Sequence, residues 1–207
     1  MKTIRNYTAQ KGLFDAYGFA FATGIAAIGT QAFAPGFAQQ GIDLIDSMFG
    51  YLMLTQLAHL GWVHLAMNLA GLALVAWGFS SHRSSAQWLV IQATSFVWVA
   101  LYLLQIEPIA WYGGLSGAVH FQFTACLMLA WLNTPKIWTA RWPLVILTIG
   151  LLVKLCMEWT ATATIDPLIG GPVAYEAHRG GALGGFIVGA LLLLIGRLTK
   201  KGPDEPA

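Results

Sequence analysis

Gly113-Gly114-Leu115-Ser116-Gly117 sets a serine among glycines at the mouth of an apolar run. Small neighbours let a backbone approach closely. The head of a helix offers unpaired N–H groups and a positive dipole end, so the arrangement suits a hydroxyl nucleophile whose reaction develops an oxyanion. The same residues would serve equally as a small-residue helix contact in a membrane protein. A G-x-S-G string alone matches often by chance, so a base and donors elsewhere must decide.

Two further stretches supply such groups. In His59-Leu60-Gly61-Trp62-Val63-His64-Leu65-Ala66-Met67-Asn68, His64 and Asn68 are four apart and share one helix face. In Ala177-His178-Arg179-Gly180-Gly181-Ala182-Leu183-Gly184-Gly185, His178 lies in the first turn of the last apolar segment. Gly181 and Gly185 follow on its face, and G-x-x-x-G spacing lets a neighbouring helix pack backbone to backbone. If that neighbour begins Ser116-Gly117, the His178 imidazole comes within reach of the serine hydroxyl, as a general base requires. Polar groups inside apolar helices are functional candidates by default, although they also bond helices together. No carboxylate has an obvious place beside His178, since Glu176 points elsewhere, so the expectation is a Ser116–His178 dyad with His64 and Asn68 as donors. Lys154 and Glu158, four apart, form an interfacial ion pair or, less simply, recognise substrate.

The elements that must position these groups are membrane helices. The chain has 207 residues, of which 57% are hydrophobic and only 10% charged, and nine tryptophans. A soluble domain needs about 25% charged residues to cover its surface. The expected fold class is all-α, a polytopic bundle of six transmembrane helices. Apolar segments fall near 13–33, 49–79, 86–106, 116–132, 142–159 and 177–198, with a cytoplasmic N-terminal segment over 1–12 and a cytoplasmic tail over 199–207. The second is longer than the ~20 residues a span needs, so its first third is interfacial or re-entrant and the span starts near Gly61. The fourth is near the lower limit, which suggests that the glycine loop dips into the membrane. Ala32-Phe33-Ala34 imitates a signal-peptide cleavage site, but Asp15 and the following Pro35 favour a retained helix.

All but two of the 11 Lys and Arg residues fall on one side: Lys2, Arg5, Lys11, Arg83, Lys136, Arg141, Arg197, Lys200 and Lys201, against Lys154 and Arg179. By the positive-inside rule both termini are cytoplasmic and the serine loop opens outward. The basic residues are tied to helix ends and form no nucleic-acid patch. Cys126 and Cys156 sit in apolar runs and read as buried thiols, with no disulfide framework or metal signature. Trp62, Trp98, Trp111, Trp138, Trp142 and Trp159 read as interfacial anchors.

Together, His59-x4-His64-x3-Asn68, Gly114-Leu115-Ser116-Gly117 and Ala177-His178-x2-Gly181-x3-Gly185 resemble the rhomboid family of intramembrane serine proteases. The resemblance implies a six-helix rhomboid-like bundle with Ser116 as nucleophile and His178 as base. It further implies an oxyanion hole of His64, Asn68 and the Ser116 backbone N–H, with His59 structural near the first external loop. No metal or organic cofactor is implied, and the partners are transmembrane protein substrates and the lipid bilayer. The wording AHLGWVHLAMNLAGLAL, GGLSGAVH and VAYEAHRGGALGG is similar to the bacterial rhombosortase branch. That implies an inner-membrane enzyme cleaving the C-terminal Gly-Gly sorting tail of exported proteins.

Two departures stand out. Many members carry a Trp-Arg pair shortly before the first motif histidine, where this chain has Gly50-Tyr51, which leaves the anchoring of its first loop open. Many also place a tyrosine four residues after the serine, against the catalytic imidazole. Here that residue is His120, expected to take the packing position and hold the His178 ring, the alternative being a histidine that bonds helices elsewhere. Three other functions stay open: a general protease of single-pass proteins, a non-catalytic client-binding relative, and a small transporter whose histidines carry protons.

Overall fold

The computed structural model describes residues 2–40, 47–80, 84–106, 111–161 and 165–198. The chain forms α1 (Lys2–Phe33), α2 (Phe37–Gln40), α3 (Met48–Thr55), α4 (Trp62–Phe79), α5 (Ser85–Leu103), α6 (Ser116–Asn133), α7 (Trp138–Thr160), a two-residue hairpin of β1 (Ile165–Asp166) and β2 (Gly171–Pro172), and α8 (Tyr175–Leu198). Helix α1 begins at Lys2 rather than near residue 13. Arg83 and the tail over 199–207 lie outside the described residues.

The long second apolar segment breaks in two. Ser47 caps α3 by accepting the Gly50 N–H, α3 ends after two turns, and Gly61 in extended backbone opens α4. Ser84 and Gln87 form a reciprocal capping box that starts α5. Among the described residues, four helices (α4, α5, α7 and α8) are long and apolar enough to cross a membrane. Helix α6 is not one of them, because Ser116, His120, Gln122, Thr124 and Asn133 dilute its hydropathy. It needs no lipid-compatible surface: it packs against α4, α5, α7 and α8, and buries residues on most of its turns.

The closest packing is between α6 and α8. A Cβ at Gly181 would fall on the Gly117 carbonyl oxygen, one at Gly185 on that of Phe121, and one at Gly189 3.2 Å from that of Ala125. Glycine therefore lets the two backbones touch. A second glycine face, absent from the sequence expectation, points to α5. Side chains at Gly180 and Gly184 would strike the Tyr102 and Trp98 rings, and Trp98 Nε1 donates to the Gly180 carbonyl at 2.8 Å. Trp98 is thus an interhelical contact and not an interfacial anchor, whereas Trp62, Trp138, Trp142 and Trp159 are exposed. Helix α7 is the loosely held one, and buries only Leu144 and Glu158 among its described residues. Cys126 is buried, but Cys156 is exposed on α7, contrary to the expectation of two buried thiols.

Candidate active site

Ser116 is the first residue of α6, and the turn before it is held from behind by α3. Gly114 N–H donates to the Thr55 carbonyl at 3.1 Å, and the Tyr112 hydroxyl donates to the Gly114 carbonyl at 3.0 Å. Gly114 itself has φ +118°, a conformation that disfavours side chains. A Cβ there would also lie 2.9 Å from His64 Nε2 and 3.4 Å from Asn68 Nδ2. Glycine at 114 is required twice, by its backbone and by the two polar side chains that crowd it.

His64 and Asn68 project from one face of α4, as their spacing predicts, and both are buried. Asn68 Nδ2 and His64 Nδ1 have no hydrogen-bond partner. A buried amide donor left unpaired costs about 1–3 kcal/mol, so a ligand group that accepts from Asn68 gains what the free site forgoes. His59 lies in the turn ahead of α4, its ring edge-on to His64 at 5.0 Å. Burial, and secondarily the neighbouring His64, hold it below the ordinary imidazole range, at about 4.

His178 enters from α8. Ala177, the preceding residue, packs on Gly117: a Cβ at Gly117 would lie 3.0 Å from the Ala177 carbonyl oxygen. This seats the head of α8 against the head of α6. The His120 ring stacks on His178 with centroids 4.3 Å apart and planes 16° from parallel. His120 Nδ1 donates to the Ser116 carbonyl at 2.7 Å, which fixes that ring along its own helix. No hydrogen bond joins Ser116 Oγ to His178, both described residues. They face one cavity of about 260 Å³, also lined by His64, Asn68, His120 and Lys154, and by Ile169, Pro172 and Val173 of the hairpin segment.

Sequence reasoning missed one group. His178 Nδ1 lies 2.9 Å from Glu158 Oε1, and both side chains are buried. The expected Lys154–Glu158 pair is present as well, on the same oxygen. The i,i+4 lysine gave Glu158 a sufficient local partner, and no signal in the sequence pointed to His178, 20 residues away on another helix. His120, Glu158 and His178 each bring a potential metal ligand within 4.8 Å of the others. The two rings are stacked with nearly parallel planes, so their in-plane lone pairs lie in separate planes and do not meet at one point between them.

The architecture is that of a polytopic membrane bundle with a serine-bearing cavity lined by side chains from several of its helices. The rhomboid domain matches residues 47–195, most of the chain. The protein belongs to the rhomboid family, a family of intramembrane proteases. No match was found among curated proteins or among solved structures.

Proposed function

We propose that this protein is an intramembrane serine endopeptidase. The observation that carries the reading is the shared cavity of Ser116, His178, His64 and Asn68, contributed by three helices. In this mechanism Ser116 Oγ attacks a peptide carbonyl as His178 Nε2 takes its proton. The developing oxyanion is stabilised by Asn68, His64 and the Ser116 backbone N–H, whose position at a helix head leaves it without an intrahelical acceptor. The C–N bond then breaks, His178 returns the proton to the leaving amine, and water hydrolyses the acyl-enzyme by the same steps in reverse order of roles.

The substrate is a single transmembrane segment that unwinds near its outer end, since a helical carbonyl is already hydrogen-bonded and unavailable. On this reading the six apolar segments span the membrane, the charge asymmetry puts both termini on the cytoplasmic side with the site opening outward, and the resemblance to the rhombosortase branch favours a bacterial inner membrane. The preferred client is the Gly-Gly sorting tail of exported proteins. Its glycines cost little to unwind and admit the close approach that a cavity of about 260 Å³ demands.

The test is labelling of the detergent-solubilised protein with a fluorophosphonate, then cleavage of tails with and without the Gly-Gly element. Labelling of the parent, and its loss in Ser116→Ala and His178→Ala, is the expected result. Equal labelling of Ser116→Ala would remove the peptidase reading. Equal cleavage of both tails would leave a general protease of single-pass proteins.

A further inference from the structure

The exposed flank of α7 leaves its buried carboxylate conspicuous. Glu158 sits in the last turn of a helix that otherwise buries only Leu144 among its described residues, and it is turned inward against His178. A carboxylate can only accept, so when it is ionised the 2.9 Å contact requires a hydrogen on His178 Nδ1. That assignment leaves Nε2 with the lone pair, which is the form a base must have. Lys154 Nζ, paired to the same carboxylate oxygen, supplies the counter-charge that lets an ionised group persist beside apolar helices.

We propose that Glu158 is the positioning carboxylate of His178, so that the site works as Ser116–His178–Glu158 and not as a two-residue dyad. The proposal rests on the peptidase reading above and deepens it. When Ser116 gives its proton to Nε2, the imidazole becomes a cation whose Nδ1–H still points at Glu158. The carboxylate takes no proton; it fixes the tautomer and faces the new positive charge across a hydrogen bond. His120 complements this: it covers a face of the ring, while Glu158 holds its edge. Rotation about the ring normal is restrained by the carboxylate, and tilt by the stack.

A purely mechanical role is the competing account, because Glu158 also ties α7 to α8. Its neighbour Trp159 makes a second tie, with the Arg179 guanidinium 5.1 Å from the ring centroid. The two roles separate experimentally. Glu158→Leu removes the acceptor and keeps an apolar side chain, Glu158→Gln keeps an acceptor without the charge, and Trp159→Leu weakens the tie without touching the imidazole.

Three readouts are taken on the solubilised full-length protein: fluorophosphonate labelling rate, kcat and KM on a tail substrate, and the ring ¹H–¹⁵N signals of His178. Glu158→Leu is expected to lower labelling and kcat by about 10²–10⁴-fold with KM little changed, as loss of a histidine-orienting carboxylate does elsewhere. Its His178 Nδ1–H signal should disappear. Glu158→Gln should fall between it and the parent, and Trp159→Leu should stay within about threefold of the parent, as expected for loss of an exposed cation–π contact.

The proposal is overturned if Glu158→Leu labels within about threefold of the parent, if the Nδ1–H signal persists in it, or if Trp159→Leu falls as far. Should Glu158→Leu fail to fold, Glu158→Gln decides, with KM held and kcat down at least about tenfold as the supporting result. If the parent itself does not label, it is the peptidase reading that fails, while the Nδ1–H signal still reports on the pairing.

Discussion

The hydroxyl of Tyr51 accepts the backbone N–H of Tyr112 at 2.9 Å and donates to the Ala38 carbonyl at 2.6 Å. Tyr51 is fully buried, and through Tyr112 and Gly114 its hydrogen bonds lead to the turn that presents Ser116. Tyr51 thus ties the segment after α1 to the serine turn, and is enclosed by protein. Tyr51→Phe keeps the ring but leaves a buried N–H and a buried carbonyl without this partner. A loss of about 1–3 kcal/mol is expected. It should appear as a lower unfolding midpoint in detergent and slower labelling of Ser116; unchanged values for both would show that the clamp is dispensable.

Gly185→Ala tests the α6–α8 seam. The added Cβ would meet the Phe121 carbonyl oxygen, and backbone cannot move aside as a side chain can. The helices must part, at a cost of about 1–3 kcal/mol or more, and the His178 ring moves with α8. Gly150→Ala, where nothing lies within 4 Å, is the control. It should be neutral or stabilising by up to about 1 kcal/mol. Thermal unfolding of the two variants side by side checks the difference.

The His120–His178 stack predicts a graded response. His120→Ala opens the face of the base and should reduce kcat roughly 3–10-fold, the equivalent of the 0.5–1.5 kcal/mol of an aromatic pair. His120→Phe retains a ring and should recover part of the loss. Turnover of His120→Ala equal to the parent would assign the ring to helix packing alone.

Asn68→Ala removes a donor that has no partner within the free protein. Its effect should therefore fall on the transition state: kcat down about 10²–10³-fold, KM little changed, and stability unaltered or slightly raised. A large fall in stability with kcat preserved would instead make Asn68 an interhelical bond.

His59 stands in the turn outside the spans, and its ring titrates near 4 in the fold against 6.5 for an unperturbed imidazole. Between those values the unfolded chain binds a proton that the folded protein refuses. Stability therefore falls as pH drops from about 6.5 to about 4, by up to about 3 kcal/mol, and is level below that. His59→Gln should flatten that slope in unfolding midpoints measured across the interval.

The sequence by itself determined what is local. Helical periodicity places His64 above Asn68 and His178 above Gly181 and Gly185, because residues three, four or seven apart share a face whatever surrounds them. Segment length fixed the break before α4, since a bilayer has no use for so long a straight span, and the glycines around Ser116 marked the turn. Only the tertiary structure decided which faces meet. Glu158 had a satisfactory partner one turn away, so nothing along the chain announced His178 across the α7–α8 gap. Tyr51, Trp98 and the Gly180/Gly184 face are apolar or small residues among many, and burial alone distinguishes them. The polarity of α6, too dilute for a lipid-facing span, makes sense only once four other helices enclose it. Periodicity acts within one helix; the choice of neighbour is a packing outcome of the whole bundle, and in this protein that choice assembles the candidate site.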